Sequence, residues 1–88
     1  MNMSPSPEHT ARLASLGSHL RDLRQQSSLR RLAESTGVSK PTLIAAERGG
    51  DLQLSTLLRL LQAHGRLAEF DRFVATLAVG EHQIGEPA

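Results

Sequence analysis

The stretch that most constrains the fold of this chain is 29–50, which reads as two short helices joined by a tight turn. Apolar residues at helical spacing define the inner sides of these helices: Leu29, Leu32, Ala33, Leu43 and Ala46. Gly37 interrupts the pattern, and glycine adopts the left-handed backbone of a helix end without a steric penalty. Ser39 is a good N-cap for the second helix, and Pro41 in its first turn removes no hydrogen bond. Val38 is expected to fill the angle between the helices.

Two short helices at a steep angle, joined by a few residues that include a glycine, form a helix-turn-helix unit. In such a unit the second helix enters the major groove of DNA. The stretch resembles the lambda-repressor/Cro-like family, often called the Xre family, at these residues: Leu32-Ala33-Glu34, Gly37-Val38-Ser39, Thr42-Leu43 and Glu47-Arg48-Gly49. Upstream, Leu16-Gly17 and 20–24 match the family's first helix, and downstream 54–61 matches its fourth.

The resemblance covers roughly residues 13–65, and ordered motifs at the right spacing over that length are a specific signal. It implies an all-α fold, namely a five-helix lambda-repressor-like DNA-binding domain with the helix-turn-helix at helices 2 and 3. Few β-branched residues cluster in this leucine-rich chain, which also favours a helical bundle. The join between Arg24 and Leu32 is shorter than usual for the family, so Ser27 or Ser28 is the expected cap of the second helix.

The chain divides into three parts. Residues 1–10 are polar, contain prolines and lack Lys and Arg, so a flexible N-terminal arm that does not bind DNA is expected. Residues 11–65 form the predicted helix-turn-helix DNA-binding domain, and residues 66–88 a C-terminal helix and tail. The first helix is predicted over 11–26, with its inner side at Leu13, Leu16, Leu20 and Leu23. The fourth helix, with Ser55 or Thr56 as its cap, is expected to bury Leu54, Leu57, Leu58 and Leu61.

The predicted last helix, 66–77, carries an apolar stripe that is wide for a terminal helix. Proteins of the resembled family generally bind as dimers, and a self-complementary apolar patch favours a two-fold pair. The predicted dimer interface is Leu60, Leu67, Phe70, Phe73, Val74 and Leu77. The alternative is that this stripe completes the core of one monomer. The tail, 80–88, either adds a short strand at the dimer edge or stays disordered.

The outer side of the second helix of the unit is polar at its start and apolar further along. Lys40 can pair with guanine O6 and N7 or with phosphate, and Thr42 can bond to phosphate or a base. Ile44 and Ala45 can make only apolar contacts, for example with a thymine methyl group. The alternative for Ile44 is that it fills the core. The predicted DNA-binding residues are Ser28, Arg30, Ser39, Lys40, Pro41, Thr42, Ile44, Ala45 and Arg48.

The net charge of +1 conceals an uneven distribution of charges. Residues 12–48 carry seven basic and three acidic side chains, whereas acidic residues outnumber basic ones from Gly49 onward. An excess of basic residues over 12–48 is typical of a DNA-binding surface. Within it, Glu47 is expected to pair with Arg21 or Arg24, because a partly buried carboxylate needs a partner.

The remaining composition bounds the other functional classes. Eighty-eight residues allow one small domain, and the absence of cysteine excludes disulfides and thiolate metal sites. The four histidines are scattered and no glycine-rich phosphate loop is present, so no enzyme, cofactor or metal is expected. The chain has no long apolar run and no signal peptide, which predicts a cytoplasmic protein that does not associate with a membrane.

These features and the resemblance together predict a transcriptional repressor that binds double-stranded DNA sequence-specifically, as a homodimer on an inverted-repeat operator. One alternative is an antitoxin-type regulator that binds both operator DNA and a toxin protein. Another is a protein-interaction module that keeps the fold and has lost DNA binding. The second alternative arises because Pro41 and Ala45 stand where many relatives carry longer polar side chains.

Overall fold

The computed structural model describes residues 6–79, and within this range the regular secondary structure is entirely helical. The helices are α1 (Pro7–Arg24), α2 (Leu29–Thr36), α3 (Lys40–Glu47), α4 (Leu54–Ala63) and α5 (Leu67–Thr76). The predicted all-α class is therefore confirmed for the described residues. The expectations for the tail, 80–88, and for the first part of the arm, 1–5, fall outside them.

The N-terminal helix begins at Pro7 rather than near residue 11, so the prediction of a flexible arm is wrong for 7–10. Ser6 is the N-cap, and its hydroxyl accepts a hydrogen bond from the backbone N–H of His9 (3.4 Å). Pro7 lies in the first turn, where a helix does not need the N–H that proline lacks. The proline therefore helps to start α1 instead of preventing it.

Local hydrogen bonds define the turn between α2 and α3 as predicted. The hydroxyl of Ser28 caps α2 by accepting a backbone N–H of its first turn (3.0 Å). Gly37 has a φ of 75° and donates its N–H to the carbonyl of Ala33 (2.9 Å), which ends α2. The hydroxyl of Ser39 caps α3 by accepting the N–H of Thr42 (3.3 Å). The start and end of this turn thus depend on interactions over three or four residues.

An apolar core joins the first four helices. Its buried members are Leu20, Leu32, Val38, Leu43, Ala46 and Leu60. Val38 fills the corner between α2 and α3, and Leu43 and Ala46 point inward from α3, all as predicted. Burial of these side chains removes apolar surface from water, which is the main favourable term in holding the helices together.

The buried side of α4 differs from the side that the sequence predicted. Leu60 is 2% exposed, so its assignment to the dimer interface is wrong, and Leu54 is 59% exposed instead of buried. Leu57 and Leu61 are packed against the core together with Leu60. Leu57 is three residues from both Leu54 and Leu60, so periodicity alone does not choose between the two sides.

The ends of the last two helices agree only partly with the sequence prediction. Gln53 is the N-cap of α4 without a capping side chain, so the predicted caps, Ser55 and Thr56, are wrong. Gly65, with a φ of 73°, directly follows His64, the C-cap of α4. The last helix matches the predicted 66–77 to within a residue at each end and packs against α4.

Candidate nucleic-acid interface

α3 turns one side to the core and the other to solvent. Leu43 and Ala46 are buried, while Ile44 is half-buried. The other predicted contacts on α3 and at its two caps are exposed: Ser39, Lys40, Pro41, Thr42, Ala45 and Arg48. We call these exposed residues together with Ile44 the α3 surface. Ile44 does not belong to the apolar core of the described residues or to the side chains packed against it, so the alternative that it fills the core is not supported.

Two hydroxyl groups are linked at the start of the α3 surface. The Ser39 hydroxyl donates to Oγ1 of Thr42 (2.9 Å) and also accepts the Thr42 backbone N–H (3.3 Å). Ser39 is therefore occupied by capping. The hydroxyl proton of Thr42 is left to donate outward, for example to a phosphate oxygen or a base acceptor.

An open, mainly apolar depression lies further along the α3 surface. Pro41, Ile44 and Ala45 line it, and Arg48 and the backbone of Gly49-Gly50 form its edge. A Cβ added at Gly50 would lie 3.0 Å from the carbonyl oxygen of Ala45, so a side chain there would crowd α3. We call this feature the α3 depression.

Arg21 of α1 lies at this surface, although the sequence analysis did not include it among the DNA-binding residues. It is exposed and lines a second concavity together with Ile44 and Arg48, so it lies beside the α3 depression. The sequence had offered Arg21 only as an alternative partner of Glu47, and its spacing of one helical turn from Arg24 is the signal that places it near α3. Within residues 6–79, Arg21, Lys40 and Arg48 take part in no ion pair.

An ion pair between Arg24 and Glu47 ties α1 to the end of α3, which confirms one of the two predicted partners. Nε of Arg24 donates to Oε2 of Glu47 (2.7 Å), Nη2 donates to Oε1 (2.9 Å), and Nη1 donates to the carbonyl of Ser27 (2.7 Å). The hydrogen bond to Glu47 raises the pKa of Arg24. Burial lowers the pKa of nearby His64. The charge of Glu47 raises that pKa in part, and the charge of Arg24 lowers it further. The pair is bidentate, the geometry in which an arginine holds a carboxylate most specifically.

The predicted contacts on α2 are exposed but are not arranged as a group with the α3 depression. Ser28 is engaged as the cap of α2. Arg30 lies 3.6 Å from Glu34, in a pair whose side chains are 83% and 70% exposed, so the attraction is weak. The neighbouring Arg31 instead lines a polar cavity with His64, between α1, α2 and the end of α4.

The apolar stripe predicted on the last helix remains largely in solvent. Phe73 is 57% exposed and Leu77 is 62% exposed, and Val74 is exposed as well, whereas Leu67 and Phe70 are half-buried. The rings of Phe70 and Phe73 lie with centroids 6.2 Å apart, a distance typical of favourable aromatic pairs. Leu67 and Phe70 are thus partly covered, but neither belongs to the apolar core of the described residues or to the side chains packed against it.

Comparison of the chain with family models, with curated proteins and with solved structures found no match. Between residues 6 and 79, no helix combines the length and the apolar character that crossing a membrane requires. In the same part of the chain, no three His, Asp or Glu side chains come close enough to share a metal ion.

Proposed function

We propose that this protein is a sequence-specific DNA-binding transcriptional repressor that acts as a homodimer on an inverted-repeat operator. In this proposal α2, the turn and α3 form a helix-turn-helix of the lambda-repressor/Cro-like type, and α3 is the recognition helix. The observation that carries the proposal is the α3 surface, because it presents hydrogen-bonding, cationic and apolar side chains on the exposed part of one helix and its caps. These are the kinds of side chain that read base edges in the major groove.

Charge and anchoring support the same assignment. Arg21, Lys40 and Arg48 have no ion-pair partner among the described residues, so they are available to phosphate groups. The Arg24–Glu47 pair and the buried Leu43 hold α3 against the rest of the domain. A rigidly held helix loses little conformational freedom on binding, which favours affinity.

Pairing through α5 completes the proposal. The exposed Phe73, Val74 and Leu77 offer an apolar surface to a second copy of the chain. A two-fold pair would present two α3 helices to one side of the duplex, about 34 Å apart in helix-turn-helix dimers. An operator with inverted-repeat symmetry follows from the symmetry of the pair.

Selection of bound duplexes from a random library, followed by gel-shift titration, tests the proposal directly. We expect one enriched inverted repeat, and an affinity that falls steeply with salt as counterions are released. We expect Lys40→Ala to weaken binding of that duplex by about 1–3 kcal/mol, because the side chain contacts either a guanine or a phosphate. The melting temperature should change little, since Lys40 is exposed.

Arg72→Ala is the matched control, because it removes one positive charge from an exposed position on α5. Its affinity should stay close to that of the wild type. Full operator affinity in Lys40→Ala would show that the α3 surface is not the DNA-binding surface. The absence of any enriched sequence, with a salt dependence near zero, would favour a protein-interaction module instead.

A further inference from the structure

The α3 depression combines apolar walls with a cationic surround. Its walls are Pro41, Ile44 and Ala45, and Arg48 stands at its edge. Arg21 lines the neighbouring concavity described above, which shares Ile44 and Arg48 with the α3 depression. Lys40 is exposed beside Pro41 at the start of the same helix. Small apolar groups can therefore enter a recess whose surroundings attract negative charge.

This combination restricts the chemistry of the occupant. An apolar protein surface would leave the cations of Arg21, Lys40 and Arg48 without counterions at the interface, which is unfavourable. A polyanion that carries small apolar groups satisfies both features. The major groove of DNA is such a surface, because the thymine 5-methyl group projects into it between phosphate strands.

The α3 surface also has a limited capacity to read bases by hydrogen bonds. Ser39 is occupied as a cap, so Lys40, Thr42 and Arg48 are the remaining hydrogen-bonding side chains on it. The centre of the surface, at Ile44 and Ala45, has no side-chain donor or acceptor. Discrimination by the centre of α3 must therefore come from apolar contact and shape.

We propose that the α3 depression binds thymine 5-methyl groups, so that each operator half-site contains a thymine that the protein distinguishes from uracil. This inference rests on the proposed function and adds the chemical class of base that α3 reads. Ile44 and Ala45 are the specificity-determining residues. Arg21 and Arg48 bind the flanking phosphates.

Replacement of thymine by deoxyuridine tests the inference, since it removes only the methyl group and keeps base pairing. The selected duplex is compared with variants that carry deoxyuridine at one thymine at a time. We expect about fourfold weaker binding at one or two positions in each half-site, the value for burying one methyl-sized group. The other thymines should tolerate the replacement.

Two variants assign the effect to the α3 depression. In Ile44→Ala the penalty for deoxyuridine should fall below about twofold, while Lys40→Ala should keep it in full at reduced affinity. Ile44 is half-buried, so folding of the variant is checked by circular dichroism. Ala45→Ser provides a second, exposed position, where a hydroxyl group should also lower the penalty.

The outcomes separate this inference from the proposed function. Sequence-specific binding with no thymine sensitive to deoxyuridine would overturn the inference and leave the proposed function standing. A penalty that persists in both Ile44→Ala and Ala45→Ser would overturn it as well. Failure to enrich any duplex would overturn the proposed function and this inference together.

Discussion

At the scale of single residues, the Arg24–Glu47 pair joins segments that are distant in sequence. It connects the end of α1, the loop at Ser27 and the end of α3. Only 17% of the Arg24 side chain and 9% of the Glu47 side chain are exposed, so each charge depends on the other.

We expect Glu47→Ala to lower the free energy of unfolding by about 3 kcal/mol, because Arg24 would remain charged in a largely buried place without its partner. Urea unfolding followed by circular dichroism measures the loss. Arg30→Ala is the control, since it removes the exposed pair with Glu34 (3.6 Å), and its effect should be below about 0.5 kcal/mol. Equal losses in the two variants would contradict a special role for the buried pair.

His64 makes the stability depend on pH. Burial lowers the pKa of His64 in the folded protein. The negative charge of Glu47 raises this pKa in part, and the positive charge of Arg24 lowers it further. Between the folded and unfolded pKa values the unfolded chain binds more protons, so the free energy of unfolding rises with pH. We expect the contribution of His64 to be complete above about pH 6.5, the ordinary pKa of histidine, and to be lost as the pH falls.

Urea unfolding of the wild type and of His64→Gln across this range isolates the effect. As the pH falls through this range, the free energy of unfolding of the wild type should decrease relative to that of His64→Gln. Carboxylates that titrate at lower pH contribute to both proteins and cancel in the difference. If the wild type became more stable than His64→Gln as the pH falls, the pKa of His64 would be raised by folding rather than lowered.

At the scale of helices, the contact between α1 and α3 depends on Gly17. A Cβ added there would lie 2.5 Å from the carbonyl oxygen of Ala46 and 2.8 Å from the backbone N of Gly49. Both neighbours are backbone atoms, which cannot rotate away. The close crossing that holds the inner side of α3 therefore requires a residue without a side chain.

We expect Gly17→Ala to lower the melting temperature, because overpacking costs about 1–3 kcal/mol and exceeds the gain in helix propensity of up to about 1 kcal/mol. Thermal unfolding measures the change. Ser18→Ala is the control on the exposed side of α1, where only helix propensity changes, and it should stabilise slightly. A stabilised Gly17→Ala variant would show that α1 and α3 are not in close contact.

At the scale of the whole molecule, the exposed apolar surface of α5 governs association in the proposed function. We expect Phe73→Glu to shift the protein to the monomer and to weaken operator binding, since a buried carboxylate would oppose pairing. Sedimentation measures the first effect and gel shift the second. The melting temperature of the monomer should change little, because Phe73 is 57% exposed.

Ala68→Glu is the matched control, because it places the same carboxylate on an exposed position of α5 away from the stripe. It should remain a dimer. If Phe73→Glu and the wild type sediment alike, pairing does not use this surface.

Much of the centre of the fold could be predicted because its determinants are local. Ser28, Gly37 and Ser39 act on backbone groups three or four residues away, so the sequence contains all that their roles require. The start of α1 follows the same rule, with Ser6 as cap and Pro7 in the first turn. The start of α1 at Pro7 is not predicted when prolines are interpreted only as helix breakers.

The sequence by itself determined the helical class of residues 6–79, the turn between α2 and α3, and the exposed positions of α3. Only the tertiary structure decided that α4 buries Leu60 rather than Leu54, that Glu47 pairs with Arg24, and that Arg21 lies beside Ile44. The physical reason is that helical spacing defines the sides of a helix but not which of them meets a neighbour. That choice depends on the relative placement of helices that are far apart in the chain.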